Sequence, residues 1–316
     1  MLVLASALAA IIPMVTYLIV IWRFDRYDRE PIKLVITSYL WGAIGAIIFA
    51  ITGGLVLSFF LSLLTTDQLE FEKLRTILIA PVVEEITKGF FLLVVINNHK
   101  FDNLTDGIVY GGAIGLGFGM TENFLYFVSY GSTLAGWLTI VIMRSLFSAV
   151  MHCISTATLG ASFGLAKFKG KILKIIYPVI GLIAAMLIHF VWNFSVSSES
   201  TALLGFLFMG ITIILFITVF SYSVFSEKKI IFSQLFQEAK IGIIPSDHLK
   251  ILSSSKRNIK GWINENIRKV YIKSATSLAF KKMHLEKSRG RSREFYERDV
   301  NNYREFIKNL LASSKI

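Results

Sequence analysis

The stretch TILIAPVVEEITKGFFLLVVI at residues 76–96 is apolar over a membrane-spanning length, yet it contains Glu84, Glu85 and Lys88. Placing a charged side chain in hydrocarbon costs about 2.5–3.5 kcal/mol even on the most lenient insertion scale. Such groups therefore usually face a protein interior and mark a functional site. One lysine can neutralise only one of the two carboxylates, so this segment predicts a helix packed inside a bundle of membrane helices.

Six further apolar segments of similar length accompany this one. The chain has a mean hydropathy of +0.62 and 54% hydrophobic residues, which is more than a soluble domain normally carries. About 20 apolar residues form a helix that crosses the hydrocarbon layer. The seven predicted spans are approximately 2–22, 35–64, 76–96, 107–130, 136–166, 172–195 and 202–225. We therefore predict an all-α fold: a polytopic membrane helix bundle of about seven transmembrane helices, followed by a small helical tail.

Basic residues are concentrated in alternate loops. The loops 23–34, 97–106 and 167–174 contain four, one and four Lys and Arg residues, whereas the other loops contain only Lys73 and Arg75. The positive-inside rule then places the N-terminus outside and the C-terminus in the cytoplasm. We expect an integral protein of a prokaryotic plasma membrane.

The charge distribution divides the chain into a core, 1–225, and a basic cytoplasmic tail, 226–316. The tail contains 20 Lys and Arg against 9 Asp and Glu, so it carries nearly all of the net charge of +12. A basic segment next to a cytoplasmic helix end is attracted to anionic lipid by about 1 kcal/mol per residue near the surface. Membrane lipids are therefore expected partners. No groove-reading motif or stacking platform indicates a nucleic-acid partner.

Ionisable residues within the spans are confined to the middle four. The first, second and seventh spans contain no charged or histidine residue, and only two of the five histidines lie in any span. The polar set on the middle four consists of Glu84, Glu85 and Lys88, then Glu122, then Arg144 and His152, then His189 with Asn193. We predict that these side chains converge on one buried site.

These residue types suit hydrolysis by activated water. A buried glutamate can accept a proton from water, and His and Asn can stabilise a developing oxyanion by about 3–4 kcal/mol per well-placed donor. Alternatively, Glu122, His152 and His189 could hold zinc, with a second glutamate as the base. The chain lacks the HExxH helix of most zinc proteases, so the sequence leaves both mechanisms open.

Two other functions are compatible with the same residues. Carboxylate and histidine relays also operate in proton- or metal-coupled transporters, although no inverted repeat relates the two halves of this chain. A catalytically inactive scaffold is a further alternative, but it leaves the cost of the buried charges unexplained.

Glycine spacing and helix rise give two geometric expectations. Gly107, Gly111, Gly115 and Gly119 recur every four residues, which predicts a helix face that a neighbouring backbone can approach closely. At 1.5 Å per residue, Glu84 and Glu122 come out about 12 Å from the outer ends of their spans, and His189 about 9 Å. His152 comes out deeper, at about 24 Å.

Several of these motifs together resemble the PrsW-type intramembrane proteases, within the larger group that includes the CAAX-prenyl endopeptidases. The resemblance covers most of residues 20–250. It rests on Asp25-Arg26-Tyr27 through Glu30-Pro31 ahead of Trp41-Gly42, the EExxK of Glu84, Glu85 and Lys88, the FxxxE of Phe118 to Glu122, the Arg144–His152 stretch, and the HxxxN of His189 to Asn193.

The resemblance implies an endopeptidase that cleaves membrane-anchored proteins, typified by removal of the extracytoplasmic part of an anti-sigma factor. It implies Glu84 as the base and His189 with Asn193 as oxyanion donors. Members of the CAAX group have a histidine where Glu122 stands and an arginine one position beyond Lys88, so these two positions depart from that pattern.

The sequence therefore predicts an intramembrane protease that acts on single-span membrane proteins, with its site in the outer half of the membrane. Water is activated by Glu84 or Glu85, with His152, His189 and Asn193 assisting. The predicted catalytic set is Glu84, Glu85, Lys88, Glu122, His152, His189 and Asn193, and zinc is the expected cofactor if a metal is used.

Overall fold

The computed structural model describes residues 2–98, 100–131 and 133–313, and every regular element in these ranges is a helix. The α-helices are α1 (Leu2–Phe24), α2 (Ile32–Leu40), α3 (Ile47–Ser62), α4 (Gln68–Leu74), α5 (Ala80–Val95), α6 (Leu104–Tyr130), α7 (Leu134–Met143), α8 (Ala149–Ala166), α9 (Leu173–Val196), α10 (Glu199–Lys240), α11 (Ser246–Leu252), α12 (Glu265–Lys287) and α13 (Arg291–Ser313). π-Helical turns at Trp41–Ala46, Arg75–Ile79 and Arg144–Ser148 continue α2 into α3, α4 into α5 and α7 into α8. The predicted all-α class is confirmed.

Five helices are long and apolar enough to cross a membrane. They are Leu2–Phe24, Ile32–Ser62, Leu134–Ala166, Leu173–Val196 and Glu199–Lys240. The other two predicted spans, 76–96 and 107–130, are helical, but the first carries three ionisable residues and the second is rich in glycine. The chain is thus a polytopic helical membrane protein, and the count of seven stays a prediction.

Helix α6 does not need high hydropathy because other helices surround it. A capping box begins this helix: Asn103 Oδ1 accepts from the Asp106 amide, and Asp106 Oδ2 accepts from the Asn103 amide. From Thr105 to Gly119 every residue of α6 is buried. A helix enclosed by protein gains little from apolar side chains directed at lipid, which explains its weak hydropathy signal.

The glycine face of α6 packs directly on the backbone of α8, as predicted. A Cβ atom on Gly107, Gly111 or Gly115 would lie within 2.3 Å of a carbonyl oxygen of α8. For Gly115 that oxygen belongs to His152. The contact therefore fixes the position of His152 along α6 at Gly115, which precedes Glu122 by about two helical turns.

Two compact units make up the chain. One consists of Met1–Asp25 with Glu30–Phe220, and the other of Arg26–Arg29 with Ser221–Ile316. The second unit has its own apolar core, centred on Leu235, Tyr271 and Leu278. In it, the Arg257 guanidinium donates to the carbonyl oxygens of Arg26 and Tyr27 at 2.6 and 2.9 Å, so the short N-terminal segment is part of this unit.

Candidate active site

Glu85 is a carboxylate with several hydrogen-bond donors around it. Its side chain is fully buried on α5, and it accepts from Lys88 Nζ at 2.8 Å, Ser155 Oγ at 3.1 Å and Thr156 Oγ1 at 3.2 Å. His189 Nδ1 lies 3.0 Å away. These contacts join α5 to α8 and α9. They give Glu85 the environment of a fixed carboxylate whose oxygens are already committed.

Lys88 is equally buried and links three other polar groups. Its ammonium contacts Glu85 at 2.8 Å, the Nδ1 of His152 at 2.8 Å and Glu84 at 3.5 Å. It also lies 4.0 Å above the centre of the Phe118 ring. Lys88 is thus within ion-pair distance of both carboxylates of α5, and Glu85 is the closer of the two.

His152 connects Lys88 to Glu122 through its two ring nitrogens. An ammonium group can only donate, so Nδ1 of His152 must be the acceptor. The neutral ring then carries its proton on Nε2, which lies 2.7 Å from Glu122 Oε2. Arg144 approaches the same oxygen at 2.6 Å, so Glu122 has a histidine and an arginine as partners.

Glu84 differs from the other two acids because its Oε2 is enclosed but makes no hydrogen bond within the described ranges. The nearest nitrogens are Lys88 Nζ at 3.5 Å, then His152 Nδ1 and His189 Nε2, both at 3.9 Å. His189 Nδ1 faces the Glu85 carboxylate, which holds the ring with its Nε2 lone pair toward Glu84. Glu84 is therefore the carboxylate with capacity for a further ligand.

A cavity of about 390 Å³ opens onto this arrangement. Glu84, Glu122, His152 and His189 lie on its wall, and Arg144, Tyr126, Ser148, Asn193 and Thr76 also line it. Glu85 and Lys88 do not line it. The cavity thus has polar groups suited to a bound water and a polarised carbonyl. Its volume lies within the range typical of ligand sites, about 300–1,000 Å³.

Asn193 lines the cavity, but its amide nitrogen is already used. Nδ2 donates to the carbonyl oxygen of Thr76 at 2.9 Å, in the π-helical turn that precedes α5. A π-helical turn leaves backbone carbonyls without regular helical partners, and polar side chains commonly satisfy them. In this state Asn193 ties α9 to the turn ahead of Glu84.

The predicted convergence is confirmed, since side chains from α5, α6, α8 and α9 meet within hydrogen-bonding or ion-pair distance. The depth estimate for His152 was wrong. It placed His152 about 12 Å deeper than Glu122, yet the two side chains are 2.7 Å apart. The helical stretch Leu134–Ala166 is 33 residues long and contains a π-helical turn, so length along it does not measure depth.

A cluster of candidate metal ligands is present, but its members differ from the predicted three. Ligand atoms of Glu84, His152 and His189 all lie within 4.8 Å of one another, whereas the sequence nominated Glu122 in place of Glu84. The reason is that Arg144 and His152 already occupy Glu122. Within the described residues, Glu84 Oε2 is the oxygen of this cluster that is enclosed and makes no hydrogen bond.

The donor types fit zinc, which favours one carboxylate and two histidines in hydrolytic sites. Glu84 Oε2 and His189 Nε2 are available as they stand, whereas His152 Nδ1 would bind zinc in place of the hydrogen bond that it accepts from Lys88. Glu85 beside His189 Nδ1 supplies the second carboxylate that commonly orients a metal-binding histidine. With both histidines neutral, Glu84, Glu85 and Glu122 face only Lys88 and Arg144, which leaves a net charge of −1 in the cluster. A Zn²⁺ ion would offset this charge and change the net charge of the cluster to +1.

Comparison with known proteins identifies the family. The model of the PrsW family intramembrane metalloprotease matches residues 30–222, which contain every residue of the cluster. The chain belongs to the PrsW family. It is an intramembrane protease, and the transporter and scaffold hypotheses lose their support.

Three relatives are similar over most of their own length. Protease PrsW of Bacillus subtilis is 28% identical over 205 residues, covering 61% of this chain and 83% of that protein. Protease PrsW of Geobacillus kaustophilus is 30% identical over 165 residues, with 52% and 67% covered. Protease PrsW of Clostridioides difficile is 29% identical over 194 residues, with 61% and 79% covered. No solved structure matches the chain.

Several polar residues of this PrsW-family site were not found by sequence reasoning. Ser155 and Thr156 bind Glu85, Asn123 accepts from Arg144 Nε at 3.0 Å, and the Arg144 guanidinium lies 3.6 Å from the centre of the Tyr126 ring. Neutral hydroxyl and amide side chains are common in membrane helices, so they carry little signal alone. The spacing of Ser155 and Thr156, three and four residues after His152, places them on the same helix face and could have indicated their role.

Proposed function

We propose that this PrsW-family protease cleaves the outward-facing part of a single-span membrane protein, using water activated at Glu84. The observation that carries the proposal is Glu84 Oε2, which is enclosed, lacks a hydrogen bond and faces His152 and His189 on the wall of the cavity. Its neighbour Glu85 has no comparable capacity, because three donors and His189 already surround it.

The reaction begins with a water molecule held between Glu84 and the scissile carbonyl carbon. Glu84 accepts a proton as the water oxygen attacks that carbon, and the carbonyl oxygen becomes an oxyanion. Arg144 and Tyr126, which line the same cavity, are suitable groups to stabilise the new charge. Asn193 joins them if its amide is released from Thr76. Glu84 then returns the proton to the departing amine as the C–N bond breaks.

Zinc is the proposed metal, with Glu84, His152 and His189 as its protein ligands. When bound, it would polarise the scissile carbonyl and promote ionisation of the attacking water. Glu85 orients His189 through Nδ1, and Lys88 offsets the carboxylates of α5. If zinc engages Glu84 fully, Glu122 is the remaining carboxylate on the cavity wall that can accept the proton.

The proposed orientation puts this site in the outer half of the membrane. Glu84 lies near the beginning of α5, whereas Glu122 and His189 lie toward the ends of α6 and α9. Helices that alternate in direction bring these positions to one side. The basic loops at 23–34 and 167–174 indicate that the opposite side of the bundle faces the cytoplasm, with the N-terminus outside.

The test is reconstitution of the purified protein in liposomes with a single-span anti-sigma factor as candidate substrate. Cleavage should be lost in Glu84→Ala and His189→Ala and retained in Lys73→Ala, a control on the exposed helix α4. Each variant is first checked for intact folding by its thermal transition in detergent. Undiminished cleavage by both active-site variants would overturn the assignment.

A further inference from the structure

A second cavity adjoins the polar one and differs from it in chemistry. Its volume is about 420 Å³, and it lies between α3, α5 and α6. Apolar side chains dominate its wall, among them Ile47, Ile51, Leu55, Val83, Phe118 and Leu125. Glu84 and Glu122 line both cavities, as do Arg75 and Ala80. The two acids are therefore the boundary between a polar and an apolar compartment.

Helix α3 forms the outer wall of the apolar cavity and is loosely attached. None of its residues is buried. Its close approach to α5 occurs at Gly53, where a Cβ atom would lie 2.9 Å from Val83 Cγ1. At the next residue, Gly54, a Cβ atom would meet nothing within 4 Å, so open space begins there. Adjacent glycines also allow a helix to bend.

Besides Glu84 Oε2, the described residues that line the apolar cavity include a second polar atom without a partner. Ser58 Oγ is enclosed and makes no hydrogen bond within the described ranges, although serine in a membrane helix normally donates to a preceding carbonyl. A buried hydroxyl of this kind is an available donor for a ligand backbone. An acyl chain has no acceptor to offer it, whereas an unwound peptide segment has one in every residue.

We propose that the apolar cavity is the subsite that holds the apolar part of the substrate next to its scissile bond. The proposal rests on the proposed function, because continuity with Glu84 and Glu122 is what makes the occupant a substrate. A membrane span is about 30 Å long, so a cavity of about 420 Å³ holds only a short part of it. Most of the substrate span therefore remains beside α3, in lipid.

This arrangement assigns selectivity to residues that take no part in the chemistry. The apolar flank of the scissile bond binds beside Gly54 and Ser58, and the polar flank extends into the cavity lined by Arg144 and Asn193. A substrate needs an apolar segment directly before a polar one, as at the outer end of a membrane span. The spacing of that boundary from the scissile bond is then set by the distance from Gly54 to Glu84.

The experiment measures binding separately from cleavage. A synthetic single-span peptide, with about 20 apolar residues and a polar outer flank, is titrated against Glu84→Gln protein in nanodiscs. Adding Gly54→Phe fills the cavity and should weaken binding about tenfold or more, which corresponds to 1.4 kcal/mol. Adding Gly210→Phe is the matched control, because Gly210 on α10 also has open space around it and should leave binding unchanged.

Disulfide crosslinking locates the bound segment without depending on a bulky substitution. Cys153, the sole cysteine, is replaced by alanine, and a single cysteine is introduced by Gly54→Cys or Gly210→Cys. Peptides with one cysteine at successive positions should crosslink to position 54 only near the outer end of the apolar segment. Equal crosslinking at both positions, or unchanged affinity in Gly54→Phe, would overturn the subsite.

The outcomes separate the subsite from the protease mechanism. If Gly54→Phe has no effect while Glu84→Ala still abolishes cleavage, the proposed function stands and the subsite is rejected. If a brominated phospholipid, but not the peptide, quenches a fluorophore attached at Gly54→Cys, the occupant is lipid and the subsite is rejected. If the peptide binds at position 54 but cleavage survives in Glu84→Ala, the proposed function fails instead.

Discussion

Nζ of Lys88 lies 2.8 Å from Nδ1 of His152, and this contact determines how the histidine is protonated. Since the ammonium must donate, the ring proton resides on Nε2 and is directed at Glu122. Lys88 on α5 and Glu122 on α6 thus fix the same tautomer of a histidine on α8 from its two ring nitrogens. Lys88 also lies beside both carboxylates of α5.

Lys88→Met should therefore impair both protein stability and the state of His152. Removing one partner of a buried ion pair costs about 3–5 kcal/mol because the remaining charges lose their compensation. Thermal unfolding in detergent measures the loss of stability. The ¹⁵N spectrum of the His152 imidazole should show a changed Nδ1 shift, because that nitrogen loses its donor, whereas Nε2 keeps the proton that it donates to Glu122. Lys73→Met on α4 should change neither; an unaltered Nδ1 shift in Lys88→Met would contradict the contact between Lys88 and His152.

Glu84→Gln should mainly lower the activity, whereas Glu85→Gln should mainly lower the stability. Glu84→Gln removes the proposed base, so the turnover number should fall by about 10²–10⁴-fold, with little change in the thermal transition of the metal-free protein. Glu85→Gln weakens a carboxylate with several buried donors, so it should lower the free energy of unfolding first, by about 3–5 kcal/mol. A stable, active Glu84→Gln protein would exclude the assigned roles.

Gly115→Ala and Gly112→Ala test the packing of α6 against α8. At Gly115 the new methyl group would lie 2.1 Å from the carbonyl oxygen of His152, so the helices must separate. At Gly112 it would meet Cys153 Sγ at 3.3 Å, which a small side-chain shift can relieve. Gly115→Ala should cost at least the 1–3 kcal/mol typical of overpacking and reduce cleavage, because His152 moves with α8. Equal stability of the two variants would show that this contact does not position His152.

The sequence predicted the ionised part of the site because charges in apolar spans are costly and hence informative. Glu84, Lys88, His152 and His189 could be assigned to one site on that ground alone. The different surroundings of Glu84 and Glu85 could not be predicted, because they depend on Ser155, Thr156 and His189 reaching Glu85 across helix contacts. Glu122 was predicted as a metal ligand for the same reason, because nothing in the sequence shows that Arg144 binds it.

The sequence predicted correctly the helices whose side chains are apolar enough to face lipid. Helices α1, α9 and α10 show this clearly, since each contains an apolar stretch long enough to cross a membrane. The depth of His152 failed because helix length was taken as depth, and a π-helical turn leaves no clear trace in hydropathy. A single boundary along the sequence also cannot place Arg26–Arg29 in the second unit with the tail. Arg26 is hydrogen-bonded there by Arg257, which is distant in the sequence.

Zinc content should depend on Glu84 and His189 and not on histidines elsewhere. Elemental analysis of protein purified without chelator should give about one zinc per chain, and Glu84→Ala or His189→Ala should abolish it. His248→Ala is the matched control, because His248 lies on α11 in the second unit, near Tyr271.

Free zinc at 100 times its dissociation constant should stabilise the protein by about 2.7 kcal/mol, and a chelator should remove this stabilisation. The same variants should lose the zinc-dependent shift of the thermal transition while His248→Ala retains it. If His189→Ala protein binds zinc as fully as the unaltered chain, the metal lies elsewhere. If no zinc binds and the chelator changes neither stability nor cleavage, Glu84 acts on water without a metal, and the excess negative charge is compensated by a proton.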